Sequence, residues 1–270
     1  MLPNTLPCTS DVLRVSVVIP AKNEAKNLPY VLTGMPVWVN EVLLIDGNST
    51  DNTVVTAQQL VPTIRLITQI GRGKGNALQA GFEAATGDIV VMMDADGSMN
   101  PAEISRFVEA LLAGADYAKG SRFIQQGGSD DITWFRFSGN WCFTNLVRWL
   151  FGGNYSDLCY GYNAFWKSAL PYLDTKADGF EIETLLNISA LRANLQIVEV
   201  PSKEAPRQYG SSHLRPIRDG IRILRVIWNQ WRAHRNKSPH SSSMSTLVLS
   251  KPLVHSMKSN LNSSTALRSN

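Results

Sequence analysis

The chain has 270 residues, 44% of them hydrophobic and 9% aromatic, enough to bury the core of one large α/β domain. Its charge is divided: residues 1–219 hold 18 basic and 22 acidic side chains, whereas residues 220–270 hold 8 basic and none acidic, so a polyanionic surface is the expected partner of the C-terminal end. Three cysteines without Cys-X-X-Cys spacing fit a reducing compartment, and the absence of a leader pattern or of 18 consecutive apolar residues excludes, as an expectation, secretion and membrane spanning.

Residues 1–13 read as an N-terminal extension, 14–235 as one catalytic domain and 236–270 as a Ser-rich tail expected to be disordered. Residues 15–20, 41–46, 63–68 and 88–94 are β-branched runs alternating with helical patterns, which predicts an α/β fold with a mostly parallel, doubly wound sheet. Such sheets bind ligands beyond the carboxyl ends of their strands. Asn23, Glu24, Asp46, Asp51, Asp94 and Asp96 are therefore expected in one crevice. A helix from Pro101 to Ala113 and a strand over 117–121 follow, and then a Gly- and Asp-rich loop at 125–131 that suggests a mobile lid.

Residues 133–151 form a helical pattern crowded with Trp134, Phe135, Phe137, Trp141, Phe143, Trp149 and Phe151, expected mainly in the core, with an apolar acceptor surface as the alternative. Gly179-Phe180-Glu181-Ile182-Glu183 opens a further helix. Near the C-terminus Ile217, Ile221, Leu224, Trp228 and Trp231 recur at spacings of three and four beside Arg218, Arg222, Arg225 and Arg232. This basic amphipathic helix either lies on a membrane surface or packs its apolar stripe on the domain.

Chemistry concentrates at Asp94-Ala95-Asp96, where an apolar strand ends in two carboxylates. Hard oxygen ligands of this kind suit Mg2+ or Mn2+ and leave open positions for substrate phosphates. The segment Gly71-Arg72-Gly73-Lys74-Gly75-Asn76 supplies flexible backbone, two cations and a helix start, which favour a phosphate-bearing ligand. It lacks Walker A spacing, and no Gly-X-Gly-X-X-Gly follows the first strand.

In this order, residues 17–24 (Val-Val-Ile-Pro-Ala-Lys-Asn-Glu), 45–51 (Ile-Asp-Gly-Asn-Ser-Thr-Asp), Gly73-Lys74-Gly75 and Asp94-Ala95-Asp96 resemble the inverting family 2 glycosyltransferases with the GT-A fold. Within that family the likeness is to polyprenyl-phosphate glycosyl synthases similar to dolichol-phosphate mannose synthase, over about residues 14–230. The resemblance implies metal-dependent transfer from a UDP- or GDP-linked sugar to polyprenyl phosphate at the cytoplasmic membrane face, with an anionic membrane surface and not nucleic acid as partner. It assigns the nucleotide pocket to Pro20, Ala21, Glu24 and Asp46, the donor to Lys74, and the metal to Asp94 and Asp96. Where the family often has a second acid, this chain has Gly47, which leaves the base open. The acceptor phosphate falls to Arg122, Arg136, Ser138 and Asn140. Arg207 and His213, in a late loop, would stabilise the leaving diphosphate. For a hydroxyl acceptor, Asp157, Glu181 or Glu183 would be the base. For Arg122 and Arg136 a structural ion pair, and for Glu181 and Glu183 a helix-capping role, are the alternatives to direct function. A hydroxyl-directed glycosyltransferase, a nucleotidyltransferase and a non-catalytic binding module remain the competing readings.

Overall fold

The computed structural model describes residues 13–212 and 214–236. The extension apart from Leu13, the tail beyond Asn236 and His213 lie outside the described residues. In chain order the elements are β1 Val15–Ala21, α1 Leu28–Leu32, β2 Glu41–Asp46, α2 Thr53–Leu60, β3 Arg65–Thr68, α3 Lys74–Ala84, β4 Ile89–Met92, α4 Ile104–Leu112, β5 Tyr117–Ser121, β6 Gly128–Ser129, α5 Trp134–Phe151, β7 Asn163–Trp166, α6 Ile182–Arg192, β8 Ile197–Pro201, β9 Lys203–Glu204 and α7 Pro216–Arg235.

A seven-stranded sheet runs in the order β3-β2-β1-β4-β7-β5-β8. Its strands are parallel except β7, which runs antiparallel to both β4 and β5. The apolar runs make this possible because successive strand residues feed opposite faces. Val15, Val17, Ile19, Leu44, Ile89 and Val91 enter one core, and Val18, Leu43, Ile45, Val90 and Met92 enter the other. The four N-terminal strands fall within or next to the predicted runs. The reversed β7 has no counterpart in the sequence reading, because its buried residues look the same whichever way the strand points.

Two expectations fail here. The loop at 125–131 is pinned, since β6 pairs in parallel with β9 and the Asp130 N–H donates to the Glu204 carbonyl at 3.0 Å. The aromatics of α5 are not mainly core: Trp134, Phe135, Trp141 and Trp149 are 61–80% exposed. The Thr133 hydroxyl caps α5 by accepting from the Arg136 N–H, and the helix docks through Asn140, Thr144 and Val147, so the tryptophans project from the opposite side. On α7, Asp219, Ile223 and Ile227 face inward, packing against α5 and α6, while Ile217, Ile221, Leu224 and Trp228 stay 45–74% exposed. The apolar stripe of α7 is thus not the face that packs on the domain.

Candidate active site

Beyond the carboxyl end of β4 the chain carries Asp94 and Asp96 around a buried Ala95. The Ser98 N–H and hydroxyl both donate to Asp96 Oδ1, at 3.0 and 2.7 Å, which fixes that carboxylate in its turn. Its other oxygen accepts from Arg207 Nη2 at 3.1 Å, and Arg207 Nη1 reaches Glu24 Oε1 at 2.9 Å. Lys74 Nζ lies 2.5 Å from Asp94 Oδ1 and 2.7 Å from Glu183 Oε1. All six of these charged groups line a cavity of about 710 Å³, a size suited to a nucleotide-sized ligand.

The glycines around Lys74 serve packing more than phosphate. Gly73 has φ +91°, and a Cβ there would sit 2.2 Å from the Asp178 carbonyl oxygen. The Gly75 N–H donates to that same oxygen at 2.8 Å, so the start of α3 is capped by the protein's own carbonyl. The segment lines the cavity with Gly71, Arg72 and Gly73 and, more deeply buried, with the Lys74 ammonium. Burial opposes its charge, but Asp94 and Glu183 outweigh that and hold its pKa above the ordinary value. Burial pushes the Glu183 carboxyl up, against the pull of Lys74.

At the nucleotide end Pro20, Ala21 and Glu24 line the cavity, and Asp46 does not. Both Asp46 oxygens accept from the Ser49 N–H at 3.2 Å, which commits this carboxylate to the turn after β2. Asn23 and Asp51 likewise hold loop backbone: Asn23 Oδ1 accepts from the Thr50 N–H at 2.7 Å, and Asp51 Oδ1 from the Thr53 N–H at 3.0 Å. The single crevice foreseen for six polar residues therefore keeps Glu24, Asp94 and Asp96, while the other three do not line it and hold the backbone of the neighbouring turns.

On the acceptor side the structure revises several assignments. Arg122 is buried, donating from Nε and Nη2 to Asp157 at 2.7 and 3.0 Å and from Nη1 to Glu204 at 3.0 Å. It borders the cavity with its charge already matched. Asp157 is fully buried; burial would raise its pKa, but the Arg122 guanidinium prevails and holds it below the usual carboxylate range, which makes it a poor base. Asn140, buried and not among the lining residues, donates to Asp157 at 3.1 Å and accepts from the Cys159 N–H at 2.9 Å. Ser138 donates to the Phe135 carbonyl of its own helix. Of the four residues foreseen for an acceptor phosphate, only Arg136, paired with Asp131 at 3.1 Å, reaches the cavity with a partly exposed cation. Glu181 is not among the lining residues: it accepts from the Gly179 N–H at 3.2 Å in the turn before α6, and its carboxylate makes no capping bond to the helix. Asn27 and Gln69, which sequence reasoning passed over, contact the charged or lining groups directly.

The donor set fits a divalent ion. Among the described residues no three His, Cys, Asp or Glu side chains converge as a closed metal cage. Two carboxylates at one strand end, each already drawing a side-chain cation, match the open coordination that Mg2+ or Mn2+ adopts with nucleotide phosphates.

This mostly parallel sheet with its crevice at the strand ends has the GT-A fold, and solved structures agree. Glucosyl-3-phosphoglycerate synthase from Mycobacterium tuberculosis, crystallised with Mn2+, UDP and glucosyl-3-phosphoglycerate, matches with a TM-score of 0.65 over 82% of this chain and 81% of its own, at 23% identity. The sequence profile of glycosyl transferase family 2 covers residues 16–172, and the chain belongs to that family. It is similar to polyprenol monophosphomannose synthase of Mycolicibacterium smegmatis, 31% identical over 74% of this chain and 81% of that protein. The undecaprenyl-phosphate mannosyltransferase of Micrococcus luteus is 30% identical over 75% of this chain and 88% of its own.

Proposed function

We propose that the protein transfers a sugar, with inversion, from a nucleoside diphosphate donor to a polyprenyl phosphate at an anionic membrane surface on the cytoplasmic side. The observation that carries this reading is the carboxylate pair Asp94 and Asp96 in a cavity where the candidate carboxylate bases are ion-paired or buried. An acceptor that arrives as a phosphate anion needs no base, whereas a hydroxyl does. The relatives named for polyprenyl and undecaprenyl phosphate support the same acceptor class.

In this reading Pro20, Ala21 and Glu24 hold the nucleoside, and Lys74 and Arg207 face the diphosphate. Asp94 and Asp96 hold Mg2+ or Mn2+, which when bound neutralises charge developing on the departing diphosphate. Arg136 offers its planar guanidinium to the acceptor phosphate. Arg136 lies on α5 and the lining residue Ile223 on α7, so the acceptor end of the cavity abuts the two helices whose outer faces carry exposed tryptophans and isoleucines. Arg218, Arg225 and Arg232 flank the α7 stripe, a pattern suited to anionic headgroups. No helix among the described residues is long and apolar enough to cross a membrane, so attachment in this reading is peripheral.

A hydroxyl acceptor is the second reading, favoured by the raised pKa of the cavity-lining Glu183. The deciding experiment incubates a panel of UDP- and GDP-sugars with Mg2+ or Mn2+, with and without short-chain polyprenyl phosphate, comparing wild type with Asp96→Ala. Sugar-phospholipid that forms with wild type and drops by at least about 100-fold in the variant supports the proposal. Donor turnover without lipid product moves the assignment to a hydroxyl acceptor, and no donor use overturns both.

A further inference from the structure

The segment 205–212 forms a strap that lines the cavity with Arg207 and Ser212, and its backbone is held by a side chain that no role has been given. Asn27 is 2% exposed. Its Oδ1 accepts from the Tyr209 N–H at 3.0 Å and its Nδ2 donates to the Tyr209 carbonyl at 3.1 Å, so one carboxamide satisfies both backbone groups as a neighbouring strand would. Nδ2 also donates to Glu24 Oε2 at 2.5 Å, and Glu24 Oε1 takes the Arg207 guanidinium. Because a carboxylate only accepts, Glu24 dictates which end of the amide is the donor. The Tyr209 ring rests beside Tyr30 and beneath Lys26, and the Ala205 N–H donates to the Ser98 carbonyl at 2.8 Å.

We propose that Asn27 is a positioning residue for donor binding, holding the strap closed so that Arg207 meets the donor diphosphate; the proposal rests on the role given to Arg207 above. The grip reads backbone, so it holds the strap whatever the side chain at 209. When a diphosphate draws Arg207 away from Asp96, the Asn27 clamp keeps the strap in place. Loss of two buried hydrogen bonds shifts the strap toward opening by about tenfold. The donor then binds a protein whose closed form is scarcer, which raises its KM by up to the same factor. Saturating donor pulls the strap shut again, which leaves kcat within about twofold.

The test uses the full chain without ligand. Tryptic cleavage after Arg207, followed by mass spectrometry, reports strap opening when reclosing outpaces cleavage. Cleavage after Lys119, fully buried in β5, serves as the control for wider unfolding. The expected result for Asn27→Ala is cleavage at Arg207 about tenfold faster with Lys119 unchanged, together with the raised donor KM. Asn27→Asp keeps the shape and the acceptor but loses the donor, and opens the strap at least as far; cleavage like wild type in that variant reduces Asn27 to a space filler and overturns the proposal. Unchanged cleavage in Asn27→Ala, or a fall in kcat with KM unmoved, overturns it as well. An Arg207→Ala variant with wild-type donor KM sinks the role of Arg207 itself, and is scored apart from the cleavage rates.

Discussion

Arg122 is where a structural and a functional role make opposite demands, and Arg122→Met separates them. Its side chain is 4% exposed against 0% for Asp157 and 8% for Glu204, with three charge-assisted hydrogen bonds of 2.7–3.0 Å. Removing the guanidinium leaves two buried carboxylates without their principal counter-charge, which costs about 3–5 kcal/mol. For a domain of this size each kcal/mol moves the melting temperature by roughly 2–4 °C, so a fall of roughly 6–20 °C is expected by circular dichroism. Arg122→Met/Asp157→Leu should recover a good part of that loss, because the unpaired charge is what costs. The gap to wild type also depends on pH. Asp157 titrates below its ordinary value in the folded wild type, so its stabilisation is fully present above the unfolded carboxylate pKa of about 4 and fades as pH falls below it. An Arg122→Met protein that melts within about 2 °C of wild type while losing acceptor affinity would refute this and restore Arg122 as a phosphate ligand.

Three further outcomes follow from named contacts. A Cβ at Gly161 would lie 2.8 Å from Lys74 Nζ and 3.2 Å from Glu183 Oε1, so Gly161→Ala should push the ammonium off Asp94 and lower transfer on the order of 10- to 100-fold in a turnover assay, with melting little changed. Burial pulls the Lys119 pKa down to about 8, so the folded chain sheds that proton before the unfolded one; wild type should gain up to about 3 kcal/mol relative to Lys119→Met between about pH 8 and pH 10.5, measured by urea titration. Ile221→Glu with Trp228→Glu should abolish sedimentation with anionic vesicles while changing stability by no more than about 1 kcal/mol, since both residues are more than half exposed; retained binding would remove α7 from the membrane contact.

The sequence carried the parallel half of the sheet well because β1, β2 and β4 are buried on both faces and so appear as unbroken apolar runs. It carried Asp94 and Asp96 because two acids closing an apolar strand add nothing to packing and stand where a parallel sheet meets its ligand. It could not separate Asp46 from Asp94. Both stand at the carboxyl end of a buried strand, and only the turn geometry that gives the Asp46 oxygens to the Ser49 N–H sets it apart from the cavity-lining Asp94. The aromatics of α5 misled for a related reason: residue type says what burial would gain, and docking geometry alone decides that Val147 points in and Trp149 out. Asn27 gave no signal, because an asparagine at the start of a short helix is an ordinary cap in sequence, and its partner in the fold is 182 residues away.

The state of the carboxyl groups bears on the acceptor more strongly than their number. Asp157 is saturated by Arg122 and Asn140, Glu181 accepts from the Gly179 N–H, and Glu183 shares the Lys74 ammonium with Asp94. To act as a base Glu183 would have to accept a proton beside a cation that stabilises its ionised form, after its substrate displaced a 2.7 Å ion pair. A hydroxyl acceptor would have to bring about that rearrangement on each turnover. An acceptor phosphate arrives already ionised and asks only for a cation, and Arg136, partly exposed and tied to a single partly exposed Asp131, is the side chain best placed to exchange one anion for another.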